Sequence, residues 1–292
     1  MKGMDSFMNT FKSKIITFTF LIPALILFAV VMLAPFIQGF GLAFTNWNGS
    51  SREIEFVGLR NIVTLFTIDL SATAAMTSTL QFMLMSVVMV NFMGLFVAMG
   101  MSGRFRGRTA LRTMMFAPIV ASLVIAGFTF IYVFGSILQP ILGMERSLLY
   151  QTSTVMFALA LICVWRDTGL AMVIYYASIK NVPTELLEAA TIDGANAIQR
   201  FFRVTFPLIA PAFTTCIALW IGWGLRVFEY PFVATGGGPG TASRTFAMFV
   251  FNHAFVGNRV GYAQMAALIM FIVIVICSGT ATALLRRREV DL

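Results

Sequence analysis

Arg166 and Asp167 stand side by side in residues 154–179, a stretch with no other charge. Arg226 and Glu229 follow the end of a second uncharged stretch, three residues apart and therefore on one face of a helix. Charges among apolar residues are costly in a membrane interior, so these must pair with each other or face a polar cavity. Trp165, Trp220 and Trp223 lie close by in the chain. Indole faces suit the apolar faces of sugar rings, and charged or amide groups suit ring hydroxyls. Two arginines could also grip an anion through paired N–H groups. The plainer use of the same residues is structural, with the charges locking helices together and the indoles packing or anchoring at an interface.

A second constellation lies in residues 180–206, between two apolar stretches. It runs Asn181-Val-Pro-Thr-Glu185-Leu-Leu-Glu188-Ala189-Ala190-Thr-Ile-Asp193-Gly194-Ala195 and continues to Phe206, Pro207 and Pro211. The pattern predicts a helix–turn–helix outside the membrane. Pro183 suits a first helical turn, and Glu185 and Glu188 follow where carboxylates complement the helix dipole. Ala189 and Ala190 allow another surface to approach closely. Gly194 permits a break with positive φ.

The elements that must position these groups are membrane helices. Of the 292 residues, 59% are hydrophobic and only 11% charged, against about 25% charged in soluble domains. So few charges cannot dress a water-facing surface of this size. Uncharged runs cover residues 15–51, 70–103, 113–144, 204–225 and 261–285, and about 20 apolar residues cross a bilayer. The expected spans are therefore about 15–40, 74–100, 111–134, 154–179, 207–230 and 261–285, in one all-α polytopic membrane domain covering residues 1–292. No room remains for a soluble catalytic domain.

The formal net charge of +8 is better explained by membrane topology than by a nucleic-acid partner. Most Lys and Arg, including Lys12, Lys14, Arg104, Arg108, Arg112, Lys180, Arg200, Arg203 and the run 286–288, fall on one side of this arrangement. Arg52, Arg60, Arg146, Arg244 and Arg259 fall on the other. Positive charge collects in cytoplasmic loops, so both termini are expected in the cytoplasm, with the loop 180–206 beside them. The first apolar segment is too long for a signal-peptide core and reads as a retained helix. Cys163, Cys216 and Cys277 fall inside spans and imply no disulfide framework. His253 is the sole histidine, which leaves little for a metal or catalytic cluster. Residues 235–239, Thr-Gly-Gly-Gly-Pro, are no phosphate loop, since no Gly-Lys-Ser/Thr follows and no strand precedes.

Glu188-Ala189-Ala190, then Asp193-Gly194-Ala195, then Phe-Pro-Leu-Ile-Ala-Pro211 closely resembles the EAA loop of binding-protein-dependent ABC importer permeases. Asn-Val-Pro-Thr-Glu-Leu before it, the Gly-Gly-Gly-Pro239 turn, Thr245, Ala254-Phe255 and Gly261-Tyr-Ala263 resemble the carbohydrate-uptake, maltose-type branch. The resemblance implies a type I ABC importer permease fold in a bacterial cytoplasmic (inner) membrane. It also implies a sister permease subunit, two ATPase subunits that bind ATP and Mg, and an extracytoplasmic substrate-binding protein. This chain itself would carry no cofactor and no catalytic or metal site, and it would be a transporter subunit rather than an enzyme. By that resemblance Glu185, Glu188, Ala189, Ala190, Asp193 and Gly194 couple to the ATPase. Trp165, Arg166, Asp167, Leu170, Trp220, Trp223, Gly224, Arg226, Val227 and Glu229 lie where such permeases contact sugar. The family pattern is mostly neutral polar or aromatic there, so Arg166, Asp167 and Arg226 are a departure that puts a simple neutral maltodextrin in doubt. An ion-coupled secondary transporter is the alternative, to which intramembrane Arg and Asp would be suited. It leaves the loop unexplained, and no internal repeat supports it.

Overall fold

The computed structural model describes residues 18–103, 106–287 and 289. The basic lead 1–14, Arg104 and Arg288, which enter the charge reading above, lie outside them. The described residues are helical throughout their ordered elements and contain no β-strand, only an isolated antiparallel bridge between Thr45 and Phe56.

Eleven helices are named in chain order: α1 Phe18–Leu42, α2 Leu70–Ser102, α3 Arg108–Phe116, α4 Leu123–Ile141, α5 Val155–Lys180, α6 Thr184–Ile192, α7 Ala197–Leu208, α8 Ala210–Leu225, α9 Glu229–Thr235, α10 Phe246–Phe251 and α11 Val260–Arg286. Five of them, α1, α2, α4, α5 and α11, are each long and apolar enough to cross a membrane. The pair α7–α8, bent by 66° at Ile209, supplies a sixth span if taken together. Pro207 and Pro211 bracket that bend, each removing an amide donor from the helical ladder.

The chain divides into two compact units. The smaller contains residues up to Val63 together with His253–Leu268. In it α1 exposes nearly all its apolar side chains. The loop after α1 is tied by Asn61, whose Nδ2 donates to the carbonyls of Ala43 (2.8 Å) and Thr45 (3.0 Å). Gly261 sits directly on the Thr45 carbonyl, leaving no room for a Cβ, and its amide donates to the Trp47 carbonyl at 2.8 Å.

The larger unit is built on α2 and α5. Asp69 starts α2 by accepting from the Ser71 amide. α5 is the most enclosed span, with 61% of its apolar window buried, and it packs along α2 through small residues. A Cβ on Gly94 would lie 2.5 Å from that of Ala171. Close backbone approach of this kind drives association where lipid supplies no hydrophobic gradient. Buried Asn91 of α2 accepts from the Tyr175 hydroxyl of α5, the helix–helix hydrogen bond that a polar residue at depth suggests. Gln81, the other polar residue of that span, is exposed.

Two expected spans are discontinuous. The stretch expected as one helix over 111–134 is α3, a 3₁₀ turn at Ala117–Val120, and α4. Pro118 lies within that turn, Ala121 is extended, and Ser122 restarts the helix by accepting from the Val124 amide. The stretch expected as one helix over 207–230 ends at Leu225 and resumes as α9 from Glu229. Uncharged composition reports membrane depth, whereas continuity depends on local backbone chemistry at Pro118, Ser122 and the Gly224–Phe228 turn.

Candidate functional site

The break between α3 and α4 leaves carbonyls without helical partners. Arg166, projecting from α5, meets them: Nε donates to Ala121 O and Nη2 to Ile119 O, each at 3.4 Å. Its Nη1 donates to Asp167 Oδ1 at 2.7 Å, the ion pair found among the described residues. Asp167 is buried, and its Oδ2 accepts from Cys163 Sγ at 3.4 Å, one helical turn earlier on α5. A charged pair held at this depth is stable only when its remaining donors and lone pairs are also met. Here the broken backbone and the thiol meet them.

This pair forms one wall of a cavity of about 360 Å³. Of the residues singled out from the sequence, Arg166, Asp167, Trp220, Trp223, Gly224, Arg226, Val227 and Glu229 all border it. Trp165 and Leu170 do not. The Trp165 indole is substantially exposed and meets Phe130 edge-on at 5.3 Å, and Leu170 packs against the buried cluster. Trp220 and Trp223 meet edge-to-face at 5.5 Å. Gly224 lets α8 touch α2, since a Cβ there would lie 2.8 Å from the Met83 Cα. Arg226 and Glu229, expected either to pair across one helical face or to face a polar cavity, both border the cavity and make no ion pair with each other; α8 ends before Arg226 and α9 starts at Glu229.

The arrangement bears on the idea of two arginines gripping an anion. Arg166 is committed to Asp167 and two carbonyls, and the wall charges balance as Arg166 with Asp167 and Arg226 with Glu229. What the cavity offers a ligand is indole surface and polar edges. Two buried polar atoms bordering it, Trp220 Nε1 and the Tyr230 hydroxyl, make no well-formed hydrogen bond, although they lie close to Asp167 and Arg166 respectively.

Several bordering residues were not legible as site residues. Cys163 stands four residues before Asp167 and so shares its helical face, a signal available from spacing. Phe82 and Ser86 stand four apart on α2, but nothing in their types distinguishes them from packing residues. Ile119 and Leu123 enter only because the helix breaks between them.

The second constellation forms a helical hairpin. Pro183 precedes α6 as its cap, Glu185 lies in the first turn, and Gly194 turns the chain at φ +82°. α7 then opens with a capping box: Asn196 Oδ1 accepts from the Gln199 amide while Gln199 Oε1 accepts from the Asn196 amide, both at 2.9 Å. Arg200 Nη1 donates back to Thr191 Oγ1, fastening the two helices. Glu185, Glu188, Ala189, Asp193 and Gly194 are exposed, with Ala190 partly covered. So are apolar Leu186, Ile192 and Ile198, Ile192 at 87%. Lys180 seats the hairpin by donating to Ser102 O at the end of α2, at 3.0 Å.

Similar proteins agree with one another. The chain is 33% identical to the probable starch degradation products transport system permease protein AmyD of Thermoanaerobacterium thermosulfurigenes, over 97% of this chain and 98% of that protein. It is 32% identical to the multiple sugar-binding transport system permease protein MsmF of Streptococcus mutans, over 93% and 96%. The fold is similar to that of a chain in the crystal structure of a bacterial ABC transporter involved in the import of the acidic polysaccharide alginate. That match has a TM-score of 0.81 at 22% identity and covers 96% of this chain and 98% of that one. Residues 90–290 match the family described as binding-protein-dependent transport system inner membrane component. With that match spanning most of the cavity lining, the hairpin and the last helix, this multi-pass membrane protein belongs to the family of inner membrane components of binding-protein-dependent transport systems.

Proposed function

We propose that this chain is one permease half of an ATP-driven sugar importer, coupled through the α6–α7 hairpin to a cytoplasmic ATPase. The observation that carries the coupling is the hairpin itself. Leu186, Ile192 and Ile198 stand exposed near Glu185 and Glu188, on a capped motif that follows α5. An apolar surface rimmed by charge suits a protein partner. Glu188, Ala189, Ala190, Asp193 and Gly194 would seat in the ATPase. Closure of the ATPase pair, driven by ATP and Mg bound there, would move α5, α7 and α8 between inward- and outward-facing arrangements. A sister permease would complete the pathway, and a binding protein would deliver substrate from outside, with both termini of this chain in the cytoplasm.

Sugar as cargo is supported by the cargoes that the relatives' names state and by the cavity's indoles and incompletely bonded polar atoms. The balanced wall charges favour a neutral, hydroxyl-rich ligand over an acidic one. Family membership supports this reading over an ion-coupled carrier.

The test is ATPase activity of the reconstituted complex carrying Glu188→Arg. Loss of binding-protein-stimulated hydrolysis with assembly intact is expected. Unchanged hydrolysis and transport would overturn the coupling role. Stimulation by an anionic sugar but by no neutral one would overturn the cargo assignment.

A further inference from the structure

At the hairpin end of the bundle, three cations gather around one ring. Arg108 and Arg112, one turn apart on α3, and Lys180, closing α5, place their charge centres 5.7, 5.9 and 5.8 Å from the centroid of Tyr176. None of the three makes an ion pair with a carboxylate among the described residues. One aromatic quadrupole attracts a cation but does not neutralise it, so three like charges around the same ring repel one another and favour a counter-anion.

The second observation is apolar. From Arg112 a groove of about 670 Å³ runs along α3 and the 3₁₀ turn against α5, its walls including Phe116, Ala117, Val120 and Val173. It shares no residue with the cavity beside Arg166. Arg112 belongs to both the groove and the cation cluster. A cationic cup at the end of a span, opening into an apolar channel along that span, matches a molecule with an anionic head and a hydrocarbon tail. A small anion would satisfy the cations and leave the groove unfilled, and an apolar molecule would do the reverse.

We propose that this is a binding site for an anionic glycerophospholipid, its phosphate held by Arg108, Arg112 and Lys180 and an acyl chain lying against Val120 and Val173. Basic pockets between membrane helices at the cytoplasmic surface bind such head groups. Because Lys180 also ties the hairpin to Ser102, an occupied site would brace the base of the hairpin.

The experiment is native mass spectrometry of the full-length chain in mild detergent, titrated with dioleoylphosphatidylglycerol and dioleoylphosphatidylcholine in parallel. Wild type is expected to retain the phosphatidylglycerol in clear preference, and excess inorganic phosphate is expected not to displace it. Arg112→Gln should reduce that preference roughly fivefold, Arg108→Gln with Arg112→Gln about 25-fold, from roughly 1 kcal/mol per surface cation. Arg112→Lys should keep most of it, as should Arg203→Gln, which removes an exposed cation of α7. Val120→Trp alters a wall residue that is 81% exposed and keeps every charge, so it should weaken retention of both lipids without a folding penalty. Equal retention of the two lipids by wild type, full displacement by phosphate, or no effect of Arg112→Gln and Val120→Trp would each overturn the site.

Discussion

The Tyr175 hydroxyl of α5 donates to Asn91 Oδ1 of α2 at 2.5 Å, and Asn91 Nδ2 returns to the Val87 carbonyl of its own helix at 2.6 Å. This bond joins the two helices that form the heart of the larger unit, at a depth where water offers no substitute partner. Tyr175→Phe should therefore cost about 1 kcal/mol, within the range for interhelical hydrogen bonds in membranes. Tyr175→Phe with Asn91→Leu should cost less than the sum of the two single changes. Chemical or thermal unfolding in detergent checks this, and full additivity would mean that the bond contributes nothing.

Arg166 and Asp167 should behave as a unit. Arg166→Gln leaves the Asp167 carboxylate buried without its cation and frees the Ile119 and Ala121 carbonyls. The expected loss is about 3–5 kcal/mol. Adding Asp167→Asn should restore a substantial part, because the stranded charge disappears. The same unfolding measurement distinguishes this from independent roles, in which the second change would add further loss.

Trp220 is 1% exposed, borders the cavity and has an indole N–H that lies close to Asp167 without a well-formed hydrogen bond. If that N–H serves a ligand hydroxyl, Trp220→Phe keeps most of the packing and removes one donor. About a tenfold weaker apparent affinity for the transported sugar is expected, for a bond worth roughly 1.4 kcal/mol, with assembly and basal ATPase activity preserved. Transport kinetics with an unchanged half-saturating concentration would make Trp220 a packing residue only.

Gly224 and Gly169 mark contacts that admit no side chain. A Cβ at Gly224 would press on the Met83 backbone at 2.8 Å, and one at Gly169 would enter the space of the Met115 carbonyl. Gly224→Ala and Gly169→Ala should each destabilise by about 1–3 kcal/mol, the range for overpacking a close interface. Gly100→Ala, where an added Cβ meets nothing within 4 Å, should cost no stability in the same assay.

Much of this was legible in the chain itself. Long uncharged runs require a membrane because so few charges cannot solvate so large a surface. The hairpin follows from local chemistry: Pro183 before the first turn, Glu185 within it and Gly194 at positive φ all act within a few residues. The isolated charges of α5 and the indoles of α8 could likewise be picked out, since polar groups in an apolar run need a reason to be there.

Tertiary structure decided what those groups do. Arg166 reads in sequence either as the partner of neighbouring Asp167 or as a cation able to meet an anion. Only packing α5 against the α3–α4 break commits it to Asp167 and two carbonyls. Arg226 and Glu229 read in sequence as a helical pair or as cavity-facing charges, and with α8 ending before Arg226 and α9 starting at Glu229 both border the cavity without pairing. Trp165 and Trp220 are the same residue type in similar surroundings, yet one faces outward and the other borders the cavity. Composition and spacing act along one chain segment. Which face of a span is enclosed depends on neighbours distant in sequence, and that contact geometry is set only when the helices meet.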